Sequence, residues 1–446
     1  MSRAGAEARL KSFPRPSREV LSLSSGQRAL ALYDGLIFDS TGRQPFRGTV
    51  IVRGGEIADV GTRGEVGVPD DADVIDLRGT FLMPGLIDAH THIMGSRSGR
   101  VEEDLLTPIG VFFARAVRDL EALAEAGFTT AVDAGSIVAL HLRDAVAEGT
   151  VRGPRVVAAG PVLSQTFGHA DVHYLPAEWV DYRTTRKLTP FASLLCDGEA
   201  ECRKAARYAM REGADFIKVM ASGGVLSQRD RPEYRGFTLE ELKAIVDEAR
   251  AANRWVHAHA EGKVGIINAA RAGVKVVAHC DLMDEEAAEE VLKAGATCVP
   301  TFAIDYALLR EGQRLGVPEW GMKKIAELAD IHVENIRRAH RMGVRLATGT
   351  DFSGGVGRHG ENAEEIALFV EKVGMTPQDA LIAATRNAAY AAGLEGRAGV
   401  IAKGALADII AVDGDPLENV RALTDRSKVK LVIRGGEVLK DLLRQG

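Results

Sequence analysis

The sequence predicts an α/β fold, in which a (β/α)8 TIM barrel carries a small β-sandwich domain formed from both chain ends. Eight apolar runs of strand length alternate with helix-length amphipathic stretches through the middle of the chain, which is typical of parallel βα units. Strand-like runs without intervening helices stand before and after this region. The 446 residues suit one barrel and a smaller companion, because single hydrophobic cores stop growing at about 250–300 residues.

The chain divides into four segments. Residues 1–27 are rich in Arg, Ser and Pro without periodicity, and we expect a flexible N-terminal arm there. Residues 28–83 hold short strand-like runs separated by Gly and Asp, which predict antiparallel strands of the sandwich domain. Residues 84–385 are predicted to form the barrel. Residues 386–446 return to the strand-like pattern and are expected to complete the sandwich domain.

Eight runs are predicted to form the barrel strands. In chain order they cover residues 86–90, 129–135, 155–163, 215–221, 255–260, 274–279, 296–303 and 344–351. Catalytic groups of such barrels stand at the carboxyl ends of the strands. Six side chains that can bind a metal fall at the ends of the first, fourth, fifth, sixth and eighth runs: His90, His92, Lys218, His259, His279 and Asp351. This placement predicts a two-metal hydrolase site at one end of the barrel.

The first pair of candidate ligands, His90 and His92, lies in the segment GLIDAHTHIMG. Alternate residues of a strand point to the same side, so two imidazoles can reach one cation. Taken alone, a His-x-His pair is explained equally well by two polar residues that cap a strand. The four further candidate ligands at strand ends favour the metal site.

Composition and charge narrow the class of partner. The chain is 46% hydrophobic and 26% charged, as ordinary globular proteins are. Its 56 basic and 62 acidic residues give a net charge of −6, and the basic residues are scattered. We therefore expect a small-molecule substrate and no nucleic acid. The sequence offers neither an apolar run of membrane-spanning length nor a recognisable secretory signal, so we expect no membrane partner.

The four cysteines, Cys196, Cys202, Cys280 and Cys298, lack a paired Cys-x-x-Cys spacing. A chain of this length does not require disulfides, so free thiols in a reducing compartment are the simplest interpretation. A cytoplasmic location follows. We also expect a homo-oligomer, because such assemblies are common, although the sequence does not indicate an interface.

Five motifs together resemble the amidohydrolase superfamily, and the resemblance covers nearly the whole chain from about residue 28. They are GLIDAHTH, GADFIKVMASGG, GTD, MTPQDALIAATRNAA and GALADIIAVDGDPL. They resemble the branch of prolidase-like and carboxypeptidase-like members, which includes ochratoxin-hydrolysing enzymes and is distantly similar to imidazolonepropionases. The resemblance implies a centre of two divalent metal ions, usually zinc, bridged by a carboxylated lysine and a hydroxide.

By position in these motifs, the two histidines of the first strand would bind the more buried metal, and those of strands five and six the second. Lys218 would bridge the metals, and Asp351 would bind the first metal and carry the proton. An ammonium offers only donors, so Lys218 can serve only as an N6-carboxylate or when deprotonated. Taken alone, Lys218 is better explained as a lysine paired with an acid, and Asp351 as a turn aspartate.

The fifth run holds two histidines, His257 and His259, which face the same side, so either could reach a metal. The intervals between Lys218, His259 and His279 resemble the spacing in the family, which favours His259. His257 is then predicted to lie in the barrel interior or beside the ligands, and it stays a candidate for substrate contact. Glu261 stands where many relatives have another histidine, which leaves the contacts to the substrate carbonyl open.

Two loop histidines are further candidates. His169, in SQTFGHADVHY, resembles the histidine of a Thr-Gly-Gly-His motif in the family, although Phe167 replaces the first glycine. It is a candidate donor to the developing oxyanion, or alternatively a loop histidine bonded to backbone. His359, in GRHGEN, resembles a position that lines the pocket, with a purely structural role as the alternative. His332 falls in a helical stretch and is read as a surface or packing residue.

Substrate specificity is expected to reside in loops. The segment SGGVLSQRDRPEYRGFT after the fourth strand contains Arg229, Arg231 and Tyr234, and a guanidinium there could bind a substrate carboxylate. The alternative is a solvated charged loop. The insert at residues 174–198 contains aromatic residues and prolines and is expected to cover the pocket, which would exclude water from the reacting centre.

The resemblance supplies the expected activity: metal-dependent cleavage of the amide bond in a small N-acyl amino acid or dipeptide, with proline or another C-terminal residue as the leaving group. No His-x-x-Glu follows His257 or His259, and deaminase-type members commonly use that glutamate, so amide hydrolysis is favoured. One alternative is a cyclic amide or lactone hydrolase of the imidazolonepropionase type. A catalytically inactive barrel scaffold is the other, and the six candidate ligands disfavour it.

Overall fold

The structure is a computed structural model that describes residues 28–185 and 189–444, so the predicted arm at residues 1–27 lies outside the described residues. The strands in these ranges are β1 Leu30–Ile37, β2 Phe46–Arg53, β3 Glu56–Thr62, β4 Asp73–Asp76, β5 Thr80–Pro84, β6 Leu86–Thr91, β7 Phe128–Asp133, β8 Arg155–Ala158, β9 Val162–Ser164, β10 Ser193–Leu195, β11 Ile217–Met220, β12 Val256–Ala260, β13 Val276–His279, β14 Thr297–Val299, β15 Arg345–Leu346, β16 Ile409–Asp413, β17 Val429–Arg434 and β18 Glu437–Asp441.

The α-helices in the same ranges are α1 Val101–Leu106, α2 Ile109–Glu125, α3 Ile137–Ala147, α4 Ala177–Val180, α5 Tyr182–Thr185, α6 Gly198–Glu212, α7 Leu239–Ala251, α8 Lys263–Ala272, α9 Glu285–Ala294, α10 Phe302–Glu311, α11 Glu319–Met342, α12 Glu364–Leu368, α13 Pro377–Ile382 and α14 Ala388–Ala391. Shorter helical turns of other types lie at Phe369–Val373, Ala383–Asn387 and Val420–Thr424.

Strands from both ends of the chain form one mainly antiparallel sheet. Its order is β18-β17-β16-β5-β1-β2-β3, and β4 pairs with β1 in addition. The two ends meet where β5 pairs with β16, with Met83 opposite Ile410. Leu32, Leu82 and Ile433 lie in one buried apolar cluster that both ends share. The expectation that both chain ends build the small β-domain is therefore confirmed.

Parallel strands from the middle of the chain form the barrel. One sheet has the order β6-β7-β8 and the other β10-β9-β11-β12-β13-β14-β15. Backbone hydrogen bonds join the edges of the two sheets: Asp215 N–H donates to the Ala158 carbonyl at 2.8 Å, and Ala89 N–H donates to the Thr348 carbonyl at 2.9 Å. Each of the eight predicted runs overlaps at least one of these strands. The predicted (β/α)8 fold class is confirmed.

The third predicted run is not a single strand. Residues 155–163 divide into β8 and β9 at Gly160, whose φ of 65° lies in the left-handed region. Pro161 follows, and proline cannot donate a hydrogen bond to a neighbouring strand. β9 pairs with β10 and β11. β10 belongs to the insert at residues 174–198, so the pairing of β9 with β10 attaches the insert to the barrel.

The predicted end of the barrel segment at residue 385 falls inside the helical turn Ala383–Asn387, which runs on into α14. Ala388 and Ala391 of α14 lie in one buried apolar cluster with Ile87 and Val276 of the barrel strands. We therefore propose that the barrel extends at least to Ala391. At the other boundary, β5 of the outer sheet ends at Pro84 and β6 of the barrel begins at Leu86.

Burial in the barrel strands follows the sequence pattern. All residues of β6 and β12 are buried, as expected of parallel strands with helices on one face and a filled interior on the other.

The four cysteines are free and buried, which confirms the prediction of free thiols. No α-helix in the described ranges combines the length and the apolar character that crossing a membrane requires.

One partly buried ion pair, between Arg155 and Asp408, ties the barrel to the outer sheet. Asp408 is buried; its carboxylate accepts hydrogen bonds from Arg155 at 2.5 Å and from Gly435 N–H at 2.7 Å. We expect Asp408→Asn to lower the free energy of unfolding by about 2 kcal/mol, because it removes the charge from the hydrogen bonds to Arg155, whose guanidinium is partly exposed to water. Urea denaturation measures this loss. Asp413→Asn is the control, since Asp413 is exposed, and an equal loss in both variants would contradict the prediction.

Candidate metal centre

The barrel topology brings the predicted ligands to one end of the parallel sheet. Lys218 of β11 lies opposite His257 of β12, and two residues further Met220 lies opposite His259. His279 ends β13, where it lies opposite Ala260. Because the parallel strands are hydrogen-bonded in this register, these side chains lie at neighbouring positions.

Asp351 meets both histidines of the first strand. Its Oδ1 lies 3.3 Å from His90 Nε2 and 3.0 Å from His92 Nε2. Its backbone N–H donates to the His90 carbonyl at 2.7 Å, which holds Asp351 at a left-handed φ of 57°. Burial would raise the pKa of Asp351, but the hydrogen bonds to both histidines hold it well below its ordinary value. The carboxylate is therefore charged at neutral pH.

Gly349 explains why this segment can approach the first strand so closely. A Cβ atom at position 349 would lie 2.8 Å from the backbone nitrogen of His90 and 2.5 Å from Val299 Cγ1. Real Cβ atoms do not make contacts this short, so only glycine fits without a shift of the strand. The GTD motif thus combines a close approach at Gly349 with the carboxylate at Asp351.

Lys218 is a buried lysine with a polar partner that carries no negative charge. The residue is 1% exposed, and its Nζ lies 3.2 Å from His90 Nε2. Within the described ranges, no carboxylate oxygen lies within 4 Å of this nitrogen. Burial lowers the pKa of Lys218 to about 7. A neutral amine, which is the form that reacts with carbon dioxide to give a carbamate, is therefore accessible near neutral pH.

His259 and His279 form the other side of the cluster, with ring centroids 4.6 Å apart. His279 Nδ1 lies 2.8 Å from Thr301 Oγ1, and His259 Nε2 lies 3.1 Å from the Gly223 carbonyl oxygen. One ligand atom from each of His90, His279 and Asp351 falls within 4.8 Å of the others, which is close enough to share a cation. Burial lowers the pKa of both His259 and His279, so they are neutral and able to bind a metal.

Two of the histidines are oriented by contacts at the ring nitrogen that faces away from the ligand cluster. His92 Nδ1 donates to the Gly135 carbonyl at 3.2 Å, and His257 Nε2 lies 3.1 Å from His90 Nδ1. Such contacts fix the ring orientation and leave the opposite nitrogen toward the cluster. The structure thus places His257 behind His90, while His259 lies beside His279. This arrangement favours His259 as the fifth-strand ligand, the choice that the sequence spacing also favours.

His169 is brought to the cluster from the loop after β9. Its ring stacks on that of His259 at 4.1 Å between centroids and 9° between planes. His169 Nδ1 lies 2.8 Å from Ser227 Oγ, and Ser227 in turn hydrogen-bonds Asp230. Burial would raise the pKa of Asp230, but His169, Ser227 and Lys324 hold it well below its ordinary value. His169 is therefore held through side chains rather than through backbone.

Lys324 of α11 fixes the loop that carries Ser227. Its Nζ donates to the carbonyl oxygens of Gly224 at 2.9 Å, Ser227 at 2.6 Å and Asp230 at 2.6 Å. Sequence reasoning missed all three of Ser227, Asp230 and Lys324. Lys324 lies on a helix about a hundred residues further along the chain, and no local pattern signals a contact of that kind.

Hydrogen bonds to Asp88 stabilise the end of the first barrel strand. Sequence reasoning did not identify this residue either. It accepts hydrogen bonds from His90 N–H at 3.0 Å, Thr350 Oγ1 at 2.7 Å and Asn362 Nδ2 at 2.7 Å. Burial raises its pKa to about 6. A signal existed here, because Asp88 is the single charged residue in the apolar run before His90, and buried carboxylates are usually bonded.

His332 is fully buried, and it supports a candidate ligand. Its Nδ1 lies 2.8 Å from Asp305 Oδ2, and its Nε2 donates to the His279 carbonyl at 2.9 Å. Burial would lower the pKa of His332, but Asp281 and Asp305 raise it to about 9. Of the two sequence interpretations, surface or packing, the surface one is wrong. His359 plays a similar part, since its Nε2 donates to the His92 carbonyl at 3.2 Å.

The arginines predicted to bind a substrate carboxylate lie in an exposed loop. Arg231 pairs with Glu233 at 3.3 Å and Glu327 at 3.6 Å. Arg229 donates its backbone N–H to His173 Nδ1 at 3.1 Å. In the part of the chain that the structure describes, no hydrogen bond or ion pair joins Arg229, Arg231 or the half-exposed Tyr234 to a candidate ligand.

The insert at residues 174–198 reaches the centre through one aromatic ring. The ring of Phe191 lies edge-on to that of His92, with 6.2 Å between centroids. Pro190, one residue earlier, accepts a hydrogen bond from Ile137 N–H at 3.0 Å. The insert therefore touches the edge of the ligand cluster, and its role as a cover remains a prediction.

Comparison with known proteins agrees with this geometry. The model of the Amidohydrolase family matches residues 81–439. The ochratoxinase of Aspergillus niger is 35% identical over 438 residues, which cover 94% of this chain and 88% of that protein. A prolidase crystallised with N-methylphosphonate-L-proline superimposes with a TM-score of 0.85 at 33% identity, over 93% of this chain and 100% of its own. A Xaa-Pro dipeptidase with methionine bound in its active site gives a TM-score of 0.81 at 31% identity, over 92% and 99% of the two chains.

Proposed function

This chain belongs to the amidohydrolase family, and we propose that it is a metal-dependent hydrolase that cleaves the amide bond of a small N-acyl amino acid or dipeptide. The convergence of the predicted ligands at the carboxyl ends of the barrel strands is the observation that carries this proposal. The similarity to an ochratoxinase, a prolidase and a Xaa-Pro dipeptidase supports the substrate class.

The donor set fits two divalent cations, and we assign zinc because imidazole and carboxylate ligands suit it. The residues that would hold them are His90, His92, Lys218, His259, His279 and Asp351, and Lys218, as an N6-carboxylate, would offer an oxygen to each cation. The neutral, oriented imidazoles support this assignment, as does a lysine that has no carboxylate oxygen within 4 Å among the described residues. Two cations held there would polarise the scissile carbonyl and activate a water molecule for attack.

Side chains of the protein would then transfer the proton and stabilise the oxyanion. Asp351, charged at neutral pH, accepts the proton of the attacking water and delivers it to the leaving amine. His169 donates its Nδ1–H to Ser227, whose hydroxyl donates to Asp230, so it can also donate from its other ring nitrogen to the developing oxyanion when both ring nitrogens carry protons. Phe191 and the insert around it exclude bulk water from the His92 side.

The experiment that tests the proposal combines elemental analysis with a substrate panel. Protein produced with zinc and bicarbonate should contain about two metals per chain and should hydrolyse linear Xaa-Pro dipeptides or N-acyl amino acids. A cyclic amide and a lactone complete the panel, since preferential opening of either would favour the imidazolonepropionase-like alternative. Metal-free, correctly folded protein without activity on any member would instead favour the inactive scaffold and contradict the proposal.

The exposed arginines give a further prediction about substrate binding. We expect Arg229→Ala to raise KM for dipeptides about tenfold with little change in kcat, because it would remove a contact to the substrate carboxylate made equally in ground and transition state. Arg231→Ala is the control variant, because the Arg231 guanidinium already forms ion pairs with Glu233 and Glu327. Steady-state kinetics on both variants measure KM and kcat. An unchanged KM in Arg229→Ala would exclude Arg229 as a contact to the substrate carboxylate.

A further inference from the structure

The turn after β13 has an unusual backbone. His279, the last residue of the strand, and Cys280, which follows it, have φ values of 73° and 67°. Two consecutive residues other than glycine therefore lie in the left-handed region, which such residues ordinarily visit singly because the Cβ atom approaches a carbonyl oxygen there. A backbone in this conformation persists where neighbouring groups hold it. The groups that contact this turn therefore bear on the position of the His279 ring, a proposed metal ligand.

Two side chains of α11 hold the backbone of this turn from both ends. His332 Nε2 donates to the His279 carbonyl oxygen at 2.9 Å, and Asn335 Nδ2 donates to the Asp281 carbonyl oxygen at 2.6 Å. The two residues stand three positions apart, so they share one face of the helix. Both are buried, at 1% and 9% exposure, so water cannot readily replace a lost donor. The carbonyls on either side of Cys280 are thus fixed by a single helix.

Side chains at the start of α10 complete the contacts. Thr301, the residue before α10, places its Oγ1 2.8 Å from Nδ1 of the His279 ring. Asp305, in the first turn of the helix, places Oδ2 2.8 Å from His332 Nδ1 and so orients the ring that donates to the His279 carbonyl. A contact at one nitrogen of an imidazole fixes the ring and leaves the other nitrogen for a metal. His279 is therefore held at its ring from α10 and at its backbone from α11.

We propose that His332 and Asn335 are positioning residues for the second metal, the one that His259 and His279 would hold. By binding the carbonyls of the turn, they keep it in the left-handed conformation from which the His279 ring reaches the ligand cluster. Without these donors the turn can relax toward an ordinary conformation, which moves the ring away from the cluster. This inference rests on the metal centre of the proposed function and adds to it two residues that act through His279.

The contacts of α11 reach one side of the ligand cluster. In the part of the chain that the structure describes, neither His332 nor Asn335 forms a hydrogen bond with the residues that would hold the first metal, which are His90, His92 and Asp351. Loss of either donor should therefore weaken binding of the second metal and leave binding of the first unchanged. A residue needed only for folding would not make this distinction.

Titration of metal-free protein with zinc, in competition with a chelator of known affinity, tests the inference. We expect His332→Leu and Asn335→Leu each to lower the affinity for the second zinc ion about 10- to 100-fold, and for the first less than about twofold. His332→Gln keeps an N–H donor near the position of Nε2 and should retain most of the affinity for the second ion. His340→Leu, at a partly buried position further along α11, is the control and should change neither affinity.

Thermal unfolding of the metal-free variants separates positioning from a general structural role. Equal weakening of both zinc ions together with a lower Tm of the metal-free protein would overturn the inference. An affinity for the second ion equal to that of wild type in Asn335→Leu would also overturn it. This second variant carries the test if His332→Leu does not fold.

Amide hydrolysis, measured on the same preparations, keeps the inference apart from the proposed function. If wild type binds both zinc ions but hydrolyses no amide, the proposed function fails, while the titration still decides the roles of His332 and Asn335. Hydrolysis by wild type together with unchanged zinc affinities in both leucine variants supports the proposed function and overturns the inference. A wild type that binds no zinc would overturn both.

Discussion

Lys218→Ala is expected to lower kcat/KM at least about a thousandfold and to reduce the bound metal from about two ions per chain to one or none. Lys218 is buried within β11 against His90, and the described residues supply no carboxylate within 4 Å that could take its place. Elemental analysis and steady-state kinetics on the same preparation measure both effects.

Two controls make this result specific to Lys218. Lys275→Ala removes a different lysine, which is partly buried, precedes β13 and contacts the rings of Trp255 and Tyr390 instead of the ligands. It should keep its metal and activity. Adding a short-chain carboxylic acid to Lys218→Ala should restore part of the activity, because the acid can occupy the space that the side chain leaves. Full activity in Lys218→Ala would contradict the bridging role.

Asp351→Asn is expected to lower kcat about 10³- to 10⁴-fold with a small change in KM. Asparagine preserves the shape and one oxygen, and so the contacts to His90 and His92, but it cannot accept a proton at neutral pH. A loss confined to kcat would mark a group that acts in the transition state.

Metal content must be measured alongside the kinetics of Asp351→Asn. If the variant loses its metal, the drop in kcat reports ligation, and only a variant that keeps its metal tests proton transfer. Asp425→Asn, at an exposed position near β17, serves as the unaffected reference. A metal-loaded Asp351→Asn with the kcat of wild type would refute the role of Asp351 in proton transfer.

The sequence was sufficient to predict the barrel strands and the cluster of candidate ligands, because both follow from local patterns. A strand-length apolar run places its last residue at the carboxyl edge, so His90 and His279 could be assigned to one edge before their distances were known, with Lys218 three residues before the end of its own run. The split of the third run was also predictable in principle, because Gly160 and Pro161 stand at its centre.

The contacts behind the ligands could not be predicted in the same way. Lys324 supports the loop of Ser227, and Asn362 bonds Asp88, through side chains that are far apart in sequence. His332 lies on an amphipathic helix where a histidine has no characteristic spacing. Their positions depend on how helices pack around the barrel, and the pattern of apolar residues within one helix does not specify its neighbours.

The pairing of β5 with β16 has a consequence for biosynthesis. During translation β5 emerges several hundred residues before its partner, so its edge stays open while the whole barrel is being made. Such distant pairing is slow and exposes an unpaired strand to other nascent chains. Emergence of β16, rather than emergence of the barrel, is therefore the event that allows this edge to be paired.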